Sequence, residues 1–218
     1  MKNNKLFIVS FIANIITFLF VLTGVILMIT VSDGALTDRG FSVFKYFTFQ
    51  SNIFMAGVAF VYGLFQFLIL KGKRDKIPHV LLVFNHVAVT AVGLTFLIVI
   101  FFLAPGYGFH LMYNNANLFF HALVPLMAMI NYMFFEKECA IKFRDTPFCI
   151  TPSLLYGIVY FIVVVSLNAY GDIKIDFYMF GANGPFIGAL NFLAVMAIAY
   201  GFGLAIFFVN RLIFKNKN

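Results

Sequence analysis

A hydroxyl and an imidazole buried in the same apolar surroundings are the parts of a simple acyl-transfer site, and this chain has both. The segment Thr48-Phe49-Gln50-Ser51-Asn52 and the histidines His86 and His121 all fall inside long apolar runs, where polar groups are costly and tend to mark function. All eight acidic residues, Asp33, Asp38, Asp75, Glu136, Glu138, Asp145, Asp172 and Asp176, fall outside those runs. That distribution favours hydroxyl-imidazole chemistry over a proton relay through carboxylates. An imidazole beside a hydroxyl takes its proton as the oxygen attacks a carbonyl. Ser51, Asn52 or Asn117 would then orient the ring or donate to the developing oxyanion. Each residue also has a plainer reading, which pattern alone favours: a threonine bonding back to its own helix carbonyl, or an asparagine or histidine bonding a neighbouring helix.

Membrane spans must carry these residues. The chain has 218 residues, 63% hydrophobic and only 11% charged, with a mean hydropathy of +1.00. A soluble domain could not cover so apolar a surface. Runs of roughly 20 residues or more, enough to cross a bilayer, lie near 6–31, 44–70, 79–104, 117–135, 149–169 and 186–213. Backbone satisfaction in lipid makes them helices. The expectation is one all-α integral membrane domain over 1–218 with six transmembrane helices. Twelve of the fifteen basic residues (Lys2, Lys5, Lys71, Lys73, Arg74, Lys76, Lys137, Lys142, Arg144, Arg211, Lys215 and Lys217) flank one side, leaving Arg39, Lys45 and Lys174 for the other. The positive-inside rule then makes both termini cytoplasmic.

This topology sets depths. Thr48 and His121 each lie about one turn in from the outer side, on the second and fourth spans. At helical spacing Thr48, Asn52, Met55, Ala59, Tyr62 and Gln66 share a face with Ser51 beside them, as do Asn117, His121, Pro125, Ala128 and Tyr132. His86 lies roughly 10 Å in from the inner side, on a face with Thr90 and Gly93, and an interhelical hydrogen bond is expected for it. On the sixth span Gly188, Asn191, Ala194, Ala197, Gly201, Gly203 and Ala205 are mostly expected to serve helix packing, and Asn191 also joins the candidate polar residues. The outer loop 169–185 is long enough to fold over the mouth of the bundle.

Other classes are disfavoured. The net charge of +7 is a topology signal without the basic-aromatic interleaving of a nucleic-acid surface. No metal-ligand set is expected, and no cofactor fingerprint is present. The first run is too long for a signal-peptide core. Cys139 and Cys149 fall at the cytoplasmic face and read as incidental. Asp172 or Asp176 would have to reach back from the outer loop to complete a triad, and nothing in the spacing places them there. The missing internal repeat and the acid-free spans argue against ion-coupled transport.

Two short segments carry a family resemblance. Lys45-Tyr46-Phe47-Thr48-Phe49 resembles the Lys-aromatic-x-Thr-Phe segment of the androgen-induced-gene and androgen-dependent TFPI-regulating protein family of six-span membrane proteins. Asn117-Leu118-Phe119-Phe120-His121, with Pro125 after it, resembles that family's Asn-x-x-x-His segment. The string Tyr46 to Asn52 is similar to the Pr6Pr-type bacterial members. The chain departs from the pattern at Leu118, where the family has a further histidine, and Pro125 follows one residue sooner. The resemblance implies a threonine hydrolase cleaving fatty acid esters of hydroxy fatty acids, with Thr48 as nucleophile and His121 as the essential histidine, in a bacterial plasma membrane. The expected partner is a lipid or fatty-acyl ester, with no cofactor. The alternative is a non-catalytic transporter, channel or lipid-binding scaffold, with Thr48, Asn52, Asn117, His121 and Asn191 lining an outward-facing polar vestibule.

Overall fold

The computed structural model describes residues 4–31, 40–136, 141–172 and 174–215. Among them the chain is all helix, without strands. Six helices are long and apolar enough to cross a membrane: α1 Lys5–Thr30, α2 Phe47–Leu70, α3 His79–Tyr107, α4 Ala116–Phe135, α5 Phe143–Ser166 and α6 Pro185–Phe214. The expected runs agree with these to within a few residues, except that α5 begins at Phe143. There the chain winds as a tight 3₁₀ turn, Phe143–Ile150, closed by the Asp145 carboxylate accepting the Lys142 backbone N–H at 2.8 Å. Ser32, Asp33, Gly34, Asp38, Arg39, Lys137, Glu138, Cys139, Lys2 and Lys217 lie outside the described residues.

α3 is the centre of the bundle, with α2, α4 and α6 packed around it and α1 filling the space between α2 and α4. Its residues from Asn85 through Thr95 are buried without a break, as expected of a helix apolar all round and surrounded by others. Small residues permit the close approaches. A Cβ on Gly93 would lie 2.1 Å from the Phe202 ring, one on Gly157 2.0 Å from Phe192, and one on Gly203 2.5 Å from Cys149 Sγ. The expected packing role for the small residues of α6 holds at Gly203 and Gly188. It fails at Ala194, Ala197, Gly201 and Ala205, which are exposed. α6 meets the bundle through its other face, at Ala199, Ile206, Phe207 and Asn210.

One end of the bundle bears the start of α1, the end of α6, the α2–α3 connection, the end of α4 and the start of α5. The opposite end bears the α3–α4 connection and the 167–184 loop. We call these the terminal end and the loop end. The acid-free interior does not survive the structure: Glu136 is 3% exposed and Asp176 fully buried, and Asp145 is buried as well. Glu136 stands one residue beyond an apolar run. The end of α4 is a π-helical turn, Asn131–Phe135, closed by the Glu136 N–H onto Asn131 O at 3.1 Å, and it turns that carboxylate into the bundle.

Candidate functional site

At the loop end, α2 and α4 meet at the turns that carry Thr48 and His121. The Phe49 and Phe120 rings pack edge to face at 5.7 Å. Asn52, fully buried, donates from Nδ2 to Thr48 O at 2.7 Å and to Phe120 O at 3.3 Å. It therefore ties the carbonyl of the candidate nucleophile to the residue preceding the candidate base. Phe120 O is available because Pro125 has no N–H to offer it. The α4 helix is relaxed there into a π-helical turn, Phe119–Leu123, a feature common at functional sites.

His121 is buried and its Nδ1 lies 2.7 Å from Met112 O, in the short helical turn before α4. A carbonyl only accepts, so Nδ1 carries the proton and Nε2 of the neutral ring keeps its lone pair. Asn117 Nδ2 steadies the same turn through Leu111 O at 3.2 Å. Ser51 Oγ donates to Thr48 O at 3.1 Å and lies 3.3 Å from Thr95 Oγ1 on α3. Thr48 is half-buried, and among the described residues its hydroxyl makes no hydrogen bond, neither the expected back-bond nor one to His121. The pair thus sits on packed neighbouring turns without being joined. Asn191 stands apart, exposed on α6 and donating to Phe180 O at 3.3 Å. The expected faces of α2 and α4 hold: Asn52, Met55, Ala59, Tyr62 and Gln66 are buried, and so are Ala128 and Tyr132.

The 167–184 loop is docked onto the turn before Thr48. Asp176 accepts from Tyr160 OH at 2.6 Å and from the Gly171 and Gly181 N–H groups at 2.9 Å each, so it organises the loop and does not complete a triad with His121. Tyr178 OH accepts the Phe47 N–H at 3.0 Å, satisfying one of the orphan donors of the α2 N-terminus. Tyr156 OH donates to Lys45 O at 2.6 Å, and Lys45 Nζ lies 5.2 Å from the centroids of Tyr46 and Phe177. Burial pushes the Tyr178 phenol up to about 12. Tyr178 lies in the 169–185 loop, outside the apolar runs, where no helical spacing singles it out. Its pairing with Tyr156 and Tyr160 depends on a loop conformation that no local pattern encodes.

A second polar region, at the terminal end, was almost invisible in the sequence. Gln66 Nε2 donates to Ser10 Oγ, and Asn14 Nδ2 donates to Gln66 Oε1, each at 2.9 Å. Asn131 Nδ2 reaches Asn14 Oδ1 at 3.2 Å and Glu136 Oε1 at 2.8 Å, while Asn85 Nδ2 donates to Glu136 Oε2. Asn210 Nδ2 holds the backbone carbonyls of Tyr132 and Glu136 at 2.6 and 3.2 Å. His86 does not make its expected interhelical hydrogen bond: it is fully buried and neither ring nitrogen has a partner among the described residues, the ring lying 5.5 Å from that of Tyr132. Nearby, Cys149 is a buried free thiol, and His79 pairs with Asp145 at 3.0 Å.

No known protein family, curated protein or solved structure matches this chain. Among the described residues no group of three or more His, Cys, Asp or Glu side chains is disposed to hold a metal ion.

Proposed function

We propose that this multi-pass membrane protein is a lipid-ester hydrolase in which Thr48 is the nucleophile and His121 the general base. The observation that carries the reading is the 2.7 Å contact of His121 Nδ1 with Met112 O. It commits one ring nitrogen to a backbone acceptor and leaves Nε2 basic, on a turn that Asn52 ties to the turn of the half-buried Thr48. His121 Nε2 takes the Thr48 proton as Oγ1 attacks the ester carbonyl, then returns it to the departing alkoxide. Water, activated by the same nitrogen, releases the acid from acyl-Thr48. Asn52 spends its amide on two carbonyls, so its part is to hold the two turns in register. Closing the remaining gap is left to substrate binding, since catalytic hydrogen bonds are often loose before it.

The substrate in this reading is a fatty-acyl ester, such as a fatty acid ester of a hydroxy fatty acid, entering from lipid between apolar helices. In this reading the charge bias supports a terminal end in the cytoplasm and so Thr48–His121 turns in the outer half of the membrane, which the family resemblance makes a bacterial plasma membrane. A fluorophosphonate probe on detergent-solubilised protein tests the pair. Labelling of wild type that disappears in Thr48→Ala and falls sharply in His121→Ala is expected; equal labelling of all three overturns the proposal. The alternative, a transporter, channel or lipid-binding scaffold, gains support from one observation, the buried Glu136 cluster, which removes the objection that the spans hold no acid.

A further inference from the structure

The terminal-end network has a pattern to its unmet hydrogen bonds. Asn85 Oδ1, Asn131 Oδ1 and both nitrogens of His86 are buried without partners among the described residues, on side chains that are at most 2% exposed. A neutral imidazole offers one donor and one acceptor. The unmet groups are therefore three acceptors and one donor. Orphaned buried acceptors of this kind point to an absent partner that donates or carries positive charge.

The groups are also in register. Asn85 and His86 are consecutive on α3, and they face Asn131 and Tyr132, consecutive on α4. Asn85 and Asn131 both grip Glu136, while His86 lies against Tyr132. Asn85 is about 9 Å from the start of α3, six residues at roughly 1.5 Å each. The carboxylate and amide oxygens of this cluster are hard ligands, suited to a small cation that sheds its water. The orphaned Oδ1 atoms belong to the same two amides whose Nδ2 atoms hold Glu136, so an ion seated on them lies beside its carboxylate.

We propose that Glu136, Asn85 and Asn131, with His86 beside them, bind a small monovalent cation, either an alkali ion or ammonium, within the terminal half of the bundle. The site is separate from the Thr48–His121 turns and does not depend on the hydrolase reading. The five helices α1, α2, α3, α4 and α6 all contribute to the network around it, so occupancy couples directly to bundle stability.

The test is thermal unfolding of the purified protein in detergent, titrated with sodium, potassium or ammonium chloride. Ionic strength is held constant with N-methylglucamine chloride, whose cation is too large to enter. A saturable rise in Tm with at least one small cation, none with N-methylglucamine alone, is expected. Glu136→Gln, a neutral isostere, should weaken the half-saturating concentration at least tenfold, and Asn131→Ala should weaken it measurably. Thr48→Ala should respond as wild type does. Because changes in the network threaten folding, the wild-type titration decides by itself. A Tm indifferent to which cation is present, or a Glu136→Gln response equal to wild type, overturns the proposal, and ordered water then fills the site.

Discussion

The two ends of this bundle handle buried polar groups in opposite ways. At the loop end the side chains bond mostly to backbone carbonyls: Asn52 to Thr48 and Phe120, His121 to Met112, Asn117 to Leu111. At the terminal end they bond mostly to one another, from Ser10 through Gln66, Asn14 and Asn131 to Glu136 and Asn85. A side chain anchored to backbone is held by its own helix pair, so a change there stays local. A network of side chains is cooperative, and removing one member leaves several groups unmet. The loop end is thus built as a frame that holds Thr48 and His121 on neighbouring turns, the terminal end as a joint among helices.

The sharpest way to break that contrast is through activity. If the loop end is catalytic, Thr48→Ala abolishes ester turnover and His121→Ala lowers it by about 10² to 10⁴, the usual worth of a general base. Thr48→Ala should cost no more than about 1 kcal/mol of stability, because among the described residues its half-buried hydroxyl makes no hydrogen bond, whereas His121→Ala also gives up a buried hydrogen bond and should cost about 1–3 kcal/mol. Next in size is Glu136→Leu at the other end. It strands the donors of Asn85 and Asn131, and a penalty of about 2–5 kcal/mol is expected from two unmet buried groups, read as a lowered Tm in detergent. A Glu136→Leu protein as stable as Thr48→Ala would collapse the distinction.

Asn52→Leu tests the frame itself. It releases Thr48 O and Phe120 O, with an expected loss of about 1–3 kcal/mol and a fall in turnover of about tenfold or more from misplaced turns. Unchanged turnover with lowered stability would show that the Asn52 tie is structural only. The smallest effect belongs to the docked loop. Tyr178 is raised by burial to about 12, so the neutral phenol is the form the fold favours. Its contribution is fully present below the ordinary tyrosine value of about 10 and is lost as pH rises toward 12. Wild-type stability should fall across that window, and the fall should shrink in Tyr178→Phe; identical pH profiles would detach the loop from the account.

The loop-end residues were legible in the sequence because each sits within an apolar run at helical spacing, so that Thr48, Asn52 and Met55 declare one interior face. Hydrophobic length also set the six helices correctly. Glu136 escaped for a simple reason: it lies one residue past the run, where a carboxylate normally meets water, and only the π-helical turn at Asn131–Phe135 draws it in. Its partners Asn85 and Asn210 come from two other helices, and Asn14, which joins it through Asn131, from a third, and single-helix periodicity carries no information about which faces meet. Asn191 and its small neighbours on α6 misled in the other direction, since small residues at helical spacing do not say whether a helix or lipid lies opposite.

The most direct test of the central claim is hydrolysis of a fatty acid ester of a hydroxy fatty acid by purified protein in bicelles, comparing wild type, Thr48→Ala and Glu136→Gln with folding checked by Tm. The account predicts turnover by wild type, none by Thr48→Ala at an unchanged Tm, and turnover retained by folded Glu136→Gln. Equal turnover by wild type and Thr48→Ala, or none by well-folded wild type, would contradict it.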